Sequence, residues 1–292
     1  MSRPFRLMGI VNVTPDSFSD GGRYLDAGAA IAHGEQLAAE GADILDVGGE
    51  STRPGAEPVS EAQELARVLP VIEGLAAAAA RMPSGPQISI DTSKAPVAEA
   101  ALEAGASLVN DVTALRGDPR MLGVIAASGA DCCLMHMLGE PRTMQGAPRY
   151  DDVVADVKAF LRERLELALA RGVARERIML DPGIGFGKTE AHNLELLRRL
   201  DELVELGVPI LVGTSRKAFL GSILARAAGV ERAPAPAERL AGTLVTNALA
   251  YERGASVFRV HEVAAVRDAL AVTAATLGGR WTARSAGTTP TS

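Results

Sequence analysis

Asp91, Asn110 and Asp181 each close a short apolar run, and two carboxylates with a carboxamide make a distinctive chemical set. Together they accept and donate several hydrogen bonds, which suits a heterocycle bearing N–H groups and ring nitrogens, such as an aminopyrimidine. A second set is cationic. Ser215-Arg216-Lys217 follows one apolar run, Arg259 and His261 stand two apart on another, and Arg53 lies in an earlier loop. Residues two apart share one side of a strand. Ser215 is a good N-cap, and a helix starting there would aim backbone N–H groups at an anion. A flat heterocycle beside an anionic group is the ligand these residues suit. The plainer readings are that strand-end Asp and Asn cap the following helices, and that Arg216 and Lys217 are solvated residues at a helix start.

Bringing these residues together requires a scaffold, and the periodicity supplies one. Eight short apolar runs occur at 7–11, 44–45, 88–90, 108–109, 132–135, 178–180, 210–212 and 257–260. They lead respectively into Asn12, Asp46, Asp91, Asn110, His136, Asp181, Ser215-Arg216-Lys217 and, with Arg259 inside the last run, His261. Runs this short, separated by helical patterns, read as buried parallel strands with crossover helices. Eight such units predict an α/β fold, a single (β/α)8 TIM barrel with its active site at the C-terminal ends of the strands. Three polar groups on one rim weigh against simple capping, and His261, one of four histidines, ends a strand there.

The helical stretches agree. Ser60 and Gln63 form a capping-box pattern ahead of Leu65, Val68, Leu69, Ile72 and Leu75, with Pro70 expected to kink that helix. Val153, Val157, Phe160, Leu161, Leu165 and Ala168 form a second apolar face, and Leu194, Leu197, Leu200 and Val204 a third. Residues 218–251 read as two helices broken near Pro234 and Pro236. The loops 14–24 and 48–59 are long, polar and glycine-rich, as expected of covers at a catalytic rim.

One barrel over residues 1–277 accounts for nearly all of the 292, since such a domain takes about 250. Residues 278–292, which hold the one tryptophan, read as a disordered tail. The net charge of −6 argues against a nucleic-acid surface. No apolar run approaches the roughly 20 residues that span a bilayer, and the N-terminus enters a strand without a signal-peptide pattern. Cys132 and Cys133 are adjacent in a strand, so they point to opposite faces and cannot staple the fold; a cytoplasmic location is expected.

Two motifs stay open. Residues 181–189 end in Gly187-Lys188-Thr189 but carry Pro182 where a phosphate-binding P-loop requires glycine. Their glycines are expected to let the backbone approach a flat ligand, with Phe186 offering a ring. His136 is either a rim residue or packed between Met135 and Met137, and packing is the preferred reading. No His and carboxylate set has metal-ligand spacing, so any metal would be Mg2+ held mainly by substrate phosphates.

The segments 8–22 (MGIVNVTPDSFSDGG), 46–55 (DVGGESTRPG), 89–94 (SIDTSK), 110–111, 133–137 (CLMHM), 181–188, 215–217 (SRK) and 259–261 (RVH) closely resemble signatures of the bacterial dihydropteroate synthases. These are pterin-binding enzymes of the folate pathway and targets of sulfonamides. The resemblance spans about residues 5–275 of the sequence. It implies a transferase joining 6-hydroxymethyl-7,8-dihydropterin diphosphate to p-aminobenzoate, with loss of diphosphate. It implies that Asp91, Asn110, Asp181 and Lys217 bind the pterin and that Arg259 lies against its ring. Asn12, Arg259 and His261 would hold diphosphate and Mg2+, with Asn12 as the metal ligand. Thr52, Arg53 and Pro54 would order over p-aminobenzoate, near Phe186 and Ser215. A homodimer is implied as well. The chemistry agrees: no side chain looks like a nucleophile, so Asp91, Asp181, Lys217, Arg259 and His261 would act by positioning and electrostatics. The alternatives are a pterin-binding methyltransferase barrel, which has no use for the cations around an anion, and a pterin-binding paralogue without turnover.

Overall fold

The computed structural model describes residues 5–14, 27–52, 55–139 and 143–278. Its strands are β1 (Arg6–Asn12), β2 (Ile44–Gly48), β3 (Gln87–Asp91), β4 (Leu108–Asp111), β5 (Asp131–Met135), β6 (Ile178–Asp181), β7 (Leu211–Val212) and β8 (Val257–Val260). Every pair is parallel, in the order β6-β5-β4-β3-β2-β1-β8-β7. A bridge between Leu180 and Ile210, with Leu180 N–H donating to Pro209 C=O at 3.0 Å, joins the two edges into a barrel. The expected (β/α)8 architecture is present.

Helices fill the connections: α1 (Ala27–Ala39), α2 (Glu61–Ala80), α3 (Ala95–Glu103), α4 (Met121–Ser128), α5 (Val153–Ala170), α6 (Glu190–Arg198), the short α7 (Asp201–Val204), α8 (Ala218–Ala228), α9 (Leu240–Glu252) and α10 (Val263–Thr276). Ser60 caps α2 through the expected box with Gln63, and the helix runs through Pro70 as one element of 20 residues. The break between α8 and α9 falls at Pro236, as expected. The face anticipated from Leu194 to Val204 is split instead. Arg199 ends α6 and pairs with Asp152 and Glu202, so the buried residues are Leu196, Leu197, Leu200 and Leu203, while Leu194 is exposed.

Strand alternation sorts side chains to two sides of the wall. Leu45, Val47, Ile88, Ile90, Val109, Cys132, Leu134, Leu180 and Phe258 pack outward in the large core beneath the helices. Met8, Ile44, Leu108, Cys133, Met179, Leu211 and Val257 form a separate cluster that plugs the barrel interior. The two cysteines thus do face opposite ways, and both are free thiols. With a period of two, the inward set continues upward from that plug as Asn12, Asp46, Ser89, Asp91, Asn110, Asp181 and Arg259. The mouth of the barrel is polar because the inward positions near the strand ends are polar.

Candidate active site

Register places Asn12 beside Gly48, Gly48 beside Asp91, and Asp91 beside Asn110, in one row across four strands. Asp46 sits below that row, fully buried. Its carboxylate accepts from Ser89 Oγ at 2.6 Å, Asn110 Nδ2 at 3.0 Å and Arg259 Nε at 2.6 Å. Arg259 reaches on to Asp91, with Nη2 2.8 Å from Oδ2. Strands β2, β3, β4 and β8 are thereby joined by one charged network. Burial pushes the Asp91 carboxyl above its usual range, against the pull of Arg259 and with the push of Asp46, Glu64 and Asp111. Asp46 was expected at a strand end. It stands inside β2, where it holds the groups around it.

Across the mouth, Asp181 ends β6 with its carboxylate accepting from Gly183 N–H at 2.6 Å. Burial raises its pKa to about 6, although Gly183 N–H, Lys217, Lys188 and Arg259 all pull the other way. Lys217 Nζ lies 4.0 Å from the centroid of the Phe186 ring. Phe186 packs on a cluster of Val112, Met135, Met137 and Met144. Soft thioethers beside hydrogen-bonding carboxylates suit a flat, polar ring.

The cationic side is built differently from the expectation. Helix α8 starts at Ala218 with Lys217 at the N-cap position, and no side chain caps it. Ser215 instead places Oγ 2.8 Å from His261 Nδ1 and 3.4 Å from Glu262 Oε2, and receives the His261 N–H at 3.3 Å. Ser215 therefore braces His261 rather than capping a helix. Arg216 adopts φ 59°, strained for a residue with a side chain. It pairs with Glu262, its N–H donates to Thr243 Oγ1, and its C=O accepts from Arg239. That twist separates Arg216, tied to Glu262, from Lys217, stacked on Phe186.

At the second loop, Glu50 and the fully buried Glu64 share Lys94, each with an oxygen 2.5 Å from Nζ. This cluster anchors the segment leading to Thr52, and Val59 N–H adds a bond to Glu50 at 3.0 Å. Arg53, Pro54 and residues 15–26 of the first loop lie outside the described residues, as do residues 279–292. His136 is buried, and its ring packs edge-on to Phe160 at 4.9 Å. Of the glycines after Asp181, Gly185 lies against the Lys217 side chain, while Gly183 and Gly187 approach the backbone at the end of β5. A Cβ on Gly183 would overlap the His136 carbonyl oxygen, and one on Gly187 would lie 2.6 Å from that of Leu138. Both have positive φ, so glycine is required to fold this loop onto the end of β5. A shallow depression of about 430 Å3 lies at the opposite end of the barrel, around Gln87, Ser107 and Asp131, and touches none of these groups.

Residues 8–261 match the family of pterin binding enzymes. The dihydropteroate synthase of Mycobacterium leprae is 49% identical over 276 residues, 94% of each chain. The chain belongs to the dihydropteroate synthase family. Among solved structures, Xanthomonas albilineans dihydropteroate synthase with 4-aminobenzoic acid superposes with a TM-score of 0.85 at 49% identity, covering 95% of this chain and 94% of the other. The same organism's enzyme in complex with 7,8-dihydropteroate gives 0.81 at 46%, covering 95% of each. As a dihydropteroate synthase, the barrel has a mouth that brings together Asp91, Asn110, Asp181, Lys217 and Arg259, with Ser215 and His261 bonded to each other at its edge. Asp46 belongs to this site although its sequence position predicts no role there. Its signal is a lone carboxylate in the middle of an apolar strand, Ile44-Leu45-Asp46-Val47, where burial without a partner is prohibitive.

Proposed function

We propose that the barrel mouth joins 6-hydroxymethyl-7,8-dihydropterin diphosphate to p-aminobenzoate, giving 7,8-dihydropteroate and diphosphate. The convergence of Asp91, Asn110 and Asp181 with Lys217 and Arg259 on one inner face carries this reading. Asp91, Asn110 and Asp181 meet the pterin edge, and Lys217 completes the pocket. Arg259, bridging Asp46 and Asp91, lies against the ring and reaches the diphosphate with His261. The C–O bond to diphosphate breaks, the pterin methylene gains positive charge, and the p-aminobenzoate nitrogen bonds to that carbon and loses a proton. Asp91 and Asp181 stabilise the positive charge as it spreads into the ring. Thr52, Arg53 and Pro54 close over p-aminobenzoate beside Phe186 and Ser215, and exclude water that would capture the cation.

Mg2+ takes oxygen ligands and is usually held by one or two protein oxygens plus substrate phosphates. Asn12 offers one carboxamide oxygen at the rim, and no set of three or more His, Cys, Asp or Glu suited to a metal occurs among the described residues. That donor set fits an ion carried mainly by the diphosphate. When bound, the ion neutralises the leaving group. The homodimer belongs to the same proposal. Val245 and Leu249 on α9 and Val272 on α10 are exposed apolar residues on helices that pack together, a surface suited to a second copy. Sedimentation decides it. No helix among the described residues is long and apolar enough to cross a membrane, and the free thiols suit a reducing cytoplasm. The deciding experiment mixes the protein with pterin diphosphate, p-aminobenzoate and Mg2+. Dihydropteroate should form, and its absence from folded protein overturns the reading.

A further inference from the structure

The failed P-loop sequence and the ambiguous histidine are parts of one buried device. Lys188 is 3% exposed and His136 is 5% exposed. Lys188 Nζ lies 2.9 Å from His136 Nδ1, 3.0 Å from the Phe186 carbonyl oxygen and 3.4 Å from that of His136. Three acceptors match the three donors of an ammonium group, while burial draws its pKa down to about 7. His136 N–H in turn donates to the Asp181 carbonyl at 2.9 Å. The rest of the loop is tied from other directions: Gln145 Nε2 to Gly185 C=O at 2.6 Å, Tyr150 OH to Gly187 C=O at 2.8 Å, and Gly185 N–H to Asn193 Oδ1 at 2.7 Å.

We propose that Lys188 and His136 form a latch that fixes residues 183–188 against the end of β5 and so sets Phe186 and Lys217 in their working positions. Lys188 touches neither substrate and is a positioning residue. It grips the Phe186 carbonyl, the Phe186 ring carries Lys217 4.0 Å above it, and Gly185 approaches the Lys217 stem closely. The inference rests on the assignment of Phe186 to p-aminobenzoate made above. Sequence order agrees, because the latch lies between the pterin carboxylate Asp181 and helix α6, and it ties that loop to the segment that follows β5.

Three variants test it: Lys188→Met, His136→Leu and His136→Asn. Asparagine can place an amide oxygen near the position of Nδ1, so it restores the acceptor that leucine removes. Amide exchange across 183–188 should quicken by about tenfold or more in Lys188→Met and His136→Leu and stay near wild type in His136→Asn, with exchange in α2 and α9 unchanged. KM for p-aminobenzoate should rise by about 10- to 100-fold in the first two variants, since small misplacements near reacting groups have effects of that size. Pterin affinity should move less, and His136→Asn should recover KM. Unchanged exchange in 183–188 overturns the latch. Faster exchange with wild-type KM overturns its positioning role, and so does an equal loss for both substrates that follows melting temperature. Exchange needs no turnover, so the latch is decided separately from any failure of wild-type protein to make dihydropteroate.

Discussion

Replacing Asp46 separates geometry from charge at the floor of the site. Its Oδ2 accepts from both Arg259 and Asn110, and its Oδ1 accepts from Ser89. Asp46→Asn can keep its amide oxygen toward Arg259 and Asn110, and the Ser89 hydroxyl can rotate to accept from the amide nitrogen. What is lost is charge assistance on the Arg259 bond. Charge-assisted bonds are roughly twice as strong as neutral ones, so the loss is about 1–1.5 kcal/mol. Asp46→Ala is worse, because it strands Asn110 Nδ2 and Arg259 Nε in a buried site. Each stranded donor costs about 1–3 kcal/mol. The lower part of that range applies to Arg259, which keeps Asp91 and has a side chain 22% exposed. The alanine variant should therefore lose about 2–4 kcal/mol, divided between folding and pterin binding. In a protein this size each kcal/mol of folding energy lowers Tm by about 2–4 °C. Calorimetric titration with the pterin, alongside scanning calorimetry, measures both shares. Wild-type affinity and Tm in Asp46→Ala would refute the reasoning. Asparagine as damaging as alanine would show that the hydrogen-bond geometry is not what Asp46 provides.

Burial holds the Asp181 carboxyl pKa at about 6, well above the usual carboxylate range. Its contribution to stability is therefore full below about pH 4 and lost as pH rises through about 6; pterin binding, which needs the carboxylate, should release a proton near pH 6, and an enthalpy independent of buffer would count against the assignment. Arg259→Ala and His261→Ala should lower kcat at saturating substrate, because diphosphate gains charge as it departs; unchanged kcat in both removes them from the chemistry. p-Aminobenzoate should bind weakly to the free protein and well once pterin, diphosphate and Mg2+ are present; equal affinity in both states would rule out closure of Thr52 and Arg53 over p-aminobenzoate.

The barrel was legible because its signal is local: each strand's apolar run and the polar residue after it are contiguous in sequence. The same period of two marks which polar residues face inward, so Asp91, Asn110, Asp181, Arg259 and His261 could be read off as one constellation. Interactions between strands leave no such mark. That Asp46 grips Arg259, 213 residues away, depends on register and closure, which single-strand patterns do not encode. Ser215 illustrates the same limit from the other side. Its residue type predicts a cap, but the left-handed turn at Arg216 and the ring of His261 place it elsewhere. Local preference for an N-cap is about 1 kcal/mol, small enough for one tertiary hydrogen bond to a histidine to override.

The glycines after Asp181 show why a motif's spacing can be right and its purpose misread. Both a phosphate loop and this loop need glycine where φ is positive and where backbone approaches closely. Spacing reports that need and not what approaches. Here the approaching group is the chain itself: the carbonyls of His136 and Leu138 at the exit of β5. A loop folded onto its neighbouring strand end in this way holds its side chains from behind. Phe186 is thus presented to the mouth by contacts made behind it, so substitutions at Gly183 or Gly187 should alter p-aminobenzoate binding without removing a single ligand contact. Any side chain at Gly183 meets a carbonyl oxygen that cannot move without shifting Asp181, to which His136 is bonded. Pterin and p-aminobenzoate binding should therefore both be lost at Gly183, whereas Gly187, farther along the loop, should affect p-aminobenzoate first.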